Sequence, residues 1–296
     1  MLRTALLLIS LAQAAFANCQ QLELAAPFTN NMILQRQCEV PIWGFDAPGN
    51  QVTVEFAGQT RTATADKHGD WMVRLQPMEA SRDERVFKLG NDHGQSITLQ
   101  GVLVGEVWFS SGQSNMVWVA DKSMCRDLAR ELAGSKQDIP IREINIATVS
   151  ALYPQKEATS DGGWKKSSKA GGFSALSLSF AHTLYRELDV PIGILLSAHS
   201  NTRIEAFASR QAFEAHATLH ADVDLIHDAD PLTEQGRDAY AAYYRDLKSW
   251  QEAAGAAANA GGKLPARPNL PGIAGMWRGP SQFFNGKIAP VVPYAI

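Results

Sequence analysis

The segment Gly105-Glu-Val-Trp-Phe-Ser-Ser-Gly-Gln-Ser114-Asn-Met116 joins an apolar run to a cluster of small polar residues. The run from 102 to 109 is rich in β-branched and aromatic residues, and this composition favours a buried strand. A strand that ends in a polar turn brings that turn to the carboxyl edge of its sheet, where α/β proteins bind ligands. The segment therefore predicts that Ser114 lies in a strand-to-helix turn at a ligand-binding edge.

Strands and helices alternate after residue 101. The predicted elements, in chain order, are strand 102–109, helix 123–132, strand 143–149, helix 174–188, strand 191–196 and helices 209–220 and 233–258. This order predicts an α/β fold, a doubly wound and mostly parallel sheet with helices on both faces. In such a sheet the Ser114 turn and the segment 197–202 share one edge.

Residues 18–100 have a different pattern, in which short alternating runs are separated by turn residues. The predicted strands are 40–43, 51–56, 61–65, 71–75, 85–89 and 96–99. Several short strands at this spacing, without a helical segment between them, predict a small antiparallel β-sandwich domain. We therefore expect a β-sandwich domain at 18–100 and an α/β domain at 101–296.

The first seventeen residues have the features of a signal peptide. Arg3 supplies a positive charge, residues 5–12 are apolar, and Ala15-Phe-Ala17 resembles a cleavage site. The apolar run is too short to span a membrane, so we expect an exported protein, periplasmic or extracellular, with no membrane span. The net charge of −3, without a basic cluster, gives no support for nucleic-acid binding.

The chain has three cysteines, Cys19, Cys38 and Cys125. An oxidising compartment would permit a Cys19–Cys38 disulfide, but three packed thiols explain the sequence equally well. Their spacing does not suggest a zinc site, and no metal is predicted.

A serine in a strand-to-helix turn has two interpretations. It can be a nucleophile, whose oxyanion would be stabilised by unpaired N–H groups at the helix start. It can equally be an N-cap without chemistry. The G-x-S-x-G pattern of a nucleophile elbow fails here, because Met116 stands in place of the last glycine.

Residues 105–116 resemble the nucleophile block of the sialate O-acetylesterase family, a branch of the SGNH (GDSL-type) hydrolases. In that block a G-[DE]-V-W strand leads into S-G-Q-S-N-M. Further similar segments are 30–36, 40–44, 173–188, 191–194 and 284–290. The resemblance implies an SGNH-like sheet, an O-acetylated sugar as substrate, Ser114 as the acyl acceptor, and chemistry that needs no cofactor.

The second block of the family reads S-x-G-G-T-x-I-E-A, whereas this chain has Ser197-Ala-His-Ser-Asn-Thr-Arg-Ile-Glu-Ala206. Ser200 and Asn201 thus replace two glycines, one of which contributes an N–H to the oxyanion hole in the family. Asn tolerates a positive φ better than Ser does. The resemblance implies oxyanion and substrate contacts from Ser114, Asn201, Ser200, Gln113 and Asn115.

In the family, the segment that resembles 284–290 is followed by W-Y-Q-G-E-x-N and later by D-x-x-H, which carries the catalytic base. Neither follows in this sequence. The resemblance therefore implies a chain truncated at its C-terminus, with no base identified and little or no turnover. Asp224-Leu-Ile-His227 has the letters of D-x-x-H but falls between the second and third blocks, so we interpret it as surface helix or loop.

Other polar residues have a chemical and a plainer interpretation. His216 and His220 would share a face of one helix and could bind a metal, but a solvated helix is the plainer reading. His199 could replace the base only if its ring reached Ser114. Glu106 and Arg203 could orient the site, or could form an ordinary ion pair or helix-end charge.

Two functions from different classes remain open. One is an exported serine esterase that removes O-acetyl groups from sialic acid or related acetylated sugars. The other is a non-catalytic, vestigial carbohydrate-binding protein, which the changes at Ser200 and Asn201 favour. The sequence does not indicate which sugar is preferred, nor the oligomeric state.

Overall fold

The computed structural model describes residues 21–294. The predicted signal peptide and Cys19 lie outside this range, and Cys38 and Cys125 are not bonded to each other. The strands are β1 (Glu23–Leu24), β2 (Ile33–Gln35), β3 (Val40–Phe45), β4 (Gln51–Phe56), β5 (Gln59–Thr64), β6 (Asp70–Leu75), β7 (Ser81–Asn91), β8 (Ser96–Gly112), β9 (Ile141–Asn145), β10 (Lys165–Lys166) and β11 (Ile192–Ala198). The helices are α1 (Ser114–Val117), α2 (Arg126–Gly134), α3 (Ala175–Leu188), α4 (Arg210–Glu214), α5 (His220–Ala229) and α6 (Glu234–Asn259).

The strands form two sheets. One is antiparallel, in the order β1-β3-β6, and the larger one has the order β10-β9-β11-β8-β7-β4-β5, with β2 paired to β8. Strand β11 is parallel to both β8 and β9, whereas β7, β4 and β5 are antiparallel to their neighbours. A mixed sheet with helices confirms the α/β class that the sequence predicts. No helix within 21–294 is long and apolar enough to cross a membrane.

Strand β8 runs continuously across the place where the sequence predicts a break. The sequence pattern gives separate strands at 96–99 and 102–109, but the structure has one strand from Ser96 to Gly112. Gly101 has φ 70° and causes the apparent break, because glycine can adopt a left-handed conformation inside a strand. The irregularity is absorbed as a register shift in the pairing with β7, between Arg85 and Phe87. The boundary predicted at 100/101 therefore falls inside a strand.

A shared hydrophobic core connects the β-rich N-terminal part to the α/β part. It includes Ile33 of β2, Val104 of β8, Ile144 of β9 and the aromatic residues Trp164 and Tyr294, all at most 3% exposed. The hydroxyl of Tyr294 also donates a hydrogen bond to the carbonyl oxygen of Ile33, at 3.0 Å. A second core packs α2 and α3 against β11. Met116 of the Ser114 turn packs against this second core.

Arg142 on β9 is fully buried and holds three segments together. Its guanidinium donates to the carbonyl oxygens of Asn31 and Gly101 and to Glu84 on β7, the last at 2.9 Å. A buried guanidinium is tolerated when its N–H groups are bonded and a carboxylate is near. Arg142 therefore fixes β9 against the irregular part of β8.

Glu143 follows Arg142 on β9, and its buried carboxyl group lies against the N-terminus of α3. Its carboxyl oxygens accept the backbone N–H of Ser174, the N-cap of α3, at 3.1 and 3.3 Å. Burial raises the pKa of Glu143 to about 8, and the bond from Ser174 opposes this shift only in part. Glu143 is therefore largely protonated at neutral pH.

We expect Glu143→Gln to raise the free energy of unfolding by about 2–3 kcal/mol at pH 7. The folded pKa exceeds the ordinary value of 4.5, so the stability that Glu143 contributes is complete below pH 4.5 and is lost as the pH rises through about 8. Glutamine keeps an acceptor for Ser174 but does not titrate. Urea unfolding from pH 4 to 9 measures both effects, and Glu131→Gln on the exposed face of α2 is the control. An unchanged slope against pH in Glu143→Gln would contradict the assignment.

Candidate active site

The Ser114 turn forms where β8 ends. Gly112 has φ 142°, Gln113 caps α1, and Ser114 is the first residue of that short helix. The thioether of Met116 anchors the turn, because it accepts from the hydroxyls of Ser110 and Ser177 at 3.3 and 3.4 Å. The sequence thus predicts the strand, the turn and the position of the serine correctly.

The Ser114 side chain is exposed and lies between two partners. Its hydroxyl donates to the amide oxygen of Gln113 at 3.1 Å, and it accepts the backbone N–H of Asn201 at 3.3 Å. The backbone N–H of Ser114 also reaches the Gln113 oxygen, at 3.4 Å. One hydroxyl and two backbone N–H groups thus meet within hydrogen-bonding range at the carboxyl edge of β8 and β11.

Asn201 adopts the conformation that a glycine would adopt without strain. Its φ is 54°, and a guanidinium N–H of Arg278 donates to its carbonyl oxygen. Asparagine is the residue that, after glycine, best tolerates this left-handed region. The N–H therefore still faces Ser114 although the glycine of the family pattern is replaced.

The other predicted contact residues lie around this pair. Ser200 is exposed, and its carbonyl accepts the Thr202 hydroxyl at 3.2 Å; among the described residues it forms no hydrogen bond with Ser114. Asn115 lines a groove of about 680 Å³ together with Trp118. The structure thus brings Ser114, Gln113 and Asn201 together and places Asn115 at the adjoining groove.

The histidines considered from the sequence do not contact Ser114. His199 lies at the end of β11, but its Nδ1 is 3.3 Å from the Thr148 hydroxyl. His227 on α5 bonds Glu214 at 3.2 Å, which agrees with its interpretation as a surface residue. Within residues 21–294, no imidazole or carboxylate is hydrogen-bonded to the Ser114 hydroxyl.

The predicted helix 209–220 is interrupted, so His216 and His220 do not share a helix face. Helix α4 ends at Glu214, and His216 is extended, with φ −123° and ψ 112°. His220 then begins α5. Over the described range of the chain, no three His, Cys, Asp or Glu side chains are grouped so that they could hold a metal ion.

Glu106 and Arg203 form ion pairs away from the reacting serine. Glu106 accepts from Arg36 at 2.5 Å, several residues before the carboxyl end of β8. Arg203 is exposed and pairs with Glu205. The plainer interpretation of both residues, that of ordinary ion pairs, agrees with these contacts.

The sequence analysis missed two residues near the site, Lys287 and Arg278. Lys287, in the π-helical turn Phe284–Ile288, is 1% exposed and donates to the Ala198 carbonyl at 2.8 Å and to Thr148 at 3.1 Å. Arg278 bonds Asn201. Burial lowers the pKa of Lys287 to about 8. The signal in the sequence was a lone lysine within the apolar segment 283–294, whose surroundings only the fold reveals.

The chain is similar to sialate O-acetylesterases of mammals. It is 31% identical to the human protein over 208 residues and 30% identical to the mouse protein over the same length, which is 64% of this chain. These matches cover 39% and 38% of the two relatives, so the match spans about two fifths of their length. No protein-family model matches the chain.

A solved structure resembles most of the fold. A carbohydrate acetylesterase from Xanthomonas citri superposes with a TM-score of 0.64 and 25% identity, over 93% of this chain and 49% of that one. The fold and the serine at the sheet edge define a protein of the α/β hydrolase-like class. The relatives and the solved structure that the chain resembles are named as sialate O-acetylesterases and as a carbohydrate acetylesterase.

We expect Asn201→Val to lower the free energy of unfolding by about 1–2 kcal/mol, because a β-branched residue at positive φ is strained. Asn201→Gly should change it by less than about 0.5 kcal/mol, since glycine adopts this φ freely. Ser200→Val, at the neighbouring exposed position, is the matched control. Thermal or urea unfolding of the three variants tests the expectation. Equal losses in Asn201→Val and Ser200→Val would show that the φ of Asn201 is not the cause.

Proposed function

We propose that this protein is a serine esterase that removes O-acetyl groups from sialic acid or related acetylated sugars. The observation that carries the proposal is the N–H of Asn201 directed at the Ser114 hydroxyl. A serine with a convergent backbone N–H at a sheet edge suits attack on an ester carbonyl. The similarity of the chain to sialate O-acetylesterases and to a carbohydrate acetylesterase supports the same reaction.

In the proposed reaction, Ser114 Oγ forms a bond to the acetyl carbonyl carbon and loses its proton to solvent water, since no base among the described residues accepts it. The negative charge that develops on the carbonyl oxygen faces the N–H groups of Ser114 and Asn201. Collapse of this intermediate releases the sugar alcohol, which takes up a proton, and leaves an acetyl group on Ser114. Water then attacks that ester and releases acetate, which restores the hydroxyl.

The Gln113 side chain has to move before the Ser114 N–H can take part. Its amide oxygen accepts both the N–H and the hydroxyl of Ser114. A substrate oxygen that binds these groups replaces the amide oxygen, and the exposed Gln113 side chain is free to rotate. Without substrate, the Gln113 amide oxygen therefore occupies the position proposed for the substrate oxygen, and rotation of the Gln113 side chain vacates it.

Turnover is expected to be weak. In the described part of the chain the Ser114 hydroxyl donates to an amide oxygen, which is not a base at neutral pH. Enzymes of this type that lose their base keep an acceleration of only roughly 10³–10⁴ over water, from binding and oxyanion contacts. We therefore propose that this chain acts as a slow esterase at most.

Acetate release from O-acetylated sialic acid, and hydrolysis of a chromogenic acetate ester, test the proposal. We expect slow turnover that Ser114→Ala abolishes, because the acyl acceptor is removed. Ser168→Ala, at an exposed serine away from the site, should behave as the parent protein does. Activity that survives Ser114→Ala unchanged would exclude Ser114 as the nucleophile, and a kcat of the usual enzymatic range, about 10 s⁻¹, would contradict the expectation of weak turnover.

The groove beside Asn115 is the proposed place for the sugar. Trp118, 57% exposed, supplies an aromatic surface, and the groove also contains Lys122 and Leu176. A sugar ring can stack on such a ring, because its C–H faces are apolar. The groove adjoins Ser114, so a sugar bound there can present an acetyl group to the hydroxyl.

We expect Trp118→Ala to weaken sugar-ester binding by roughly tenfold or more, as is usual for an exposed aromatic contact worth over 1 kcal/mol. Calorimetric titration of Ser114→Ala protein with O-acetylated sialic acid measures this without turnover. Tyr244→Ala, at an exposed aromatic residue of α6, is the control. Equal affinities with and without the Trp118 ring would place the sugar elsewhere.

A non-catalytic, vestigial carbohydrate-binding protein is the second candidate. The same contact favours it, because the partner that accepts the Ser114 proton is an amide. In that case acetylated glycans bind with equal affinity to the parent protein and to Ser114→Ala, and neither releases acetate. The two measurements above therefore separate the candidates.

Two finer assignments remain proposals. We infer an SGNH-type arrangement of the α/β part. The β-sandwich domain predicted at 18–100 and the α/β domain predicted at 101–296 share strand β8, so we place the division between them within that strand. Export to the periplasm or the outside of the cell follows from the sequence of residues 1–17 alone. The proposed partner is an acetylated sugar.

A further inference from the structure

Lys287 is a buried cation whose partners are neutral. Its ammonium donates to the Ala198 carbonyl at 2.8 Å and to the Thr148 hydroxyl at 3.1 Å. No carboxylate within residues 21–294 is close enough for an ion pair, although the charge of Asp161 favours the protonated amine. Although burial lowers its pKa to about 8, the amine remains mostly protonated at neutral pH. Burial of a charge without an ion-pair partner lowers the stability of the folded state, so the presence of Lys287 here calls for an explanation beyond packing.

Thr148 connects this cation to His199. Its oxygen accepts from Lys287 and lies 3.3 Å from Nδ1 of His199. If Nδ1 carried a proton, the Thr148 hydroxyl hydrogen would have no acceptor among the described residues. If Nδ1 is bare, it accepts the Thr148 hydroxyl hydrogen while Lys287 donates to the Thr148 oxygen, so the contacts among the three groups agree in direction.

His199 itself is fixed at the carboxyl edge of the sheet. Its backbone N–H donates to the Gly112 carbonyl at 3.0 Å, and its ring packs edge-on against Phe283 at 4.9 Å. Burial first, and then the charges of Lys287 and Arg278, lower its pKa below the ordinary value. Within residues 21–294, Nε2 of this half-buried ring has no hydrogen-bond partner, so it is available to a ligand.

We propose that Lys287 is a positioning residue that acts through Thr148 to hold the proton of His199 on Nε2. His199 then presents an N–H donor beside the Ser114 turn and is not the base that removes the serine proton. This inference rests on the proposed esterase function, in which the Nε2–H of His199 donates to an oxygen of the acetyl ester. His199 is two residues from Asn201, whose N–H faces the same serine.

The protonation of His199 can be measured without turnover. In 15N-labelled protein at neutral pH, NMR of the imidazole nitrogens should show one neutral form with the proton on Nε2. Lys287→Met removes the cation, so the pKa of His199 should rise and the two neutral forms should mix. Thr148→Val should mix the forms while it keeps the lysine, and this milder variant remains informative if Lys287→Met does not fold.

Lys136→Met is the matched control, because it removes one positive charge from an exposed loop. It should leave the His199 signals unchanged. A proton on Nδ1 of the parent protein, or His199 signals that neither Lys287→Met nor Thr148→Val alters, would overturn the proposal. Neither outcome depends on hydrolysis, so a failure here is distinct from a failure of the esterase function.

A pair of His199 variants separates a donor from a base. Glutamine retains an N–H donor but cannot take up a proton at neutral pH, whereas phenylalanine has neither ability. For acetate-ester hydrolysis, His199→Phe should lose on the order of 10²-fold in kcat/KM, as is typical for one oxyanion donor, and His199→Gln should lose clearly less. Equal losses in the two variants would show that His199 acts as a base or only as a packing group.

Discussion

The parallel pairing of β11 with β8 is the constraint on which the site depends. It runs from Ile192 opposite Glu106 to Ala198 opposite Gly112. Both strands therefore end at the same level, and the segments that follow them carry Ser114 and Asn201. A register slip of one residue would move every side chain of β11 to the other face and would separate the N–H of Asn201 from the serine.

The fold accommodates three buried ionisable groups, Arg142, Glu143 and Lys287, in three different ways. Arg142 has carboxylate and carbonyl partners and joins β7, β8 and β9. Glu143 receives one backbone N–H and remains protonated at neutral pH, which is less costly than burying its charged form. Lys287 keeps its charge at neutral pH with neutral partners and lies next to the site. Only the last arrangement lacks a structural explanation, and for this reason we assign it a role in positioning.

Local chemistry decided what the sequence could predict. The apolar run and the polar turn at Ser114 are local, so the strand and the turn followed from composition, whereas the short helix α1 was not predicted. Gly101 misled the prediction, because a glycine that breaks a strand and one that only kinks it look alike in a sequence. The partners of Lys287 could not be predicted, since Thr148 and Ala198 lie 139 and 89 residues away.

The geometry at Ser114 separates two requirements that a serine esterase has to meet together. In the proposed reaction, stabilisation of the oxyanion depends on backbone N–H groups, and the β8–β11 register and the φ of Asn201 direct one of them at Ser114. Removal of the proton depends on one particular side chain, and the acceptor found in residues 21–294 is the amide of Gln113. Backbone geometry survives substitution more readily than a specific base does. The Ser114 turn therefore supports the proposed chemistry through its backbone geometry, whereas the rate depends on a proton acceptor that backbone geometry does not specify.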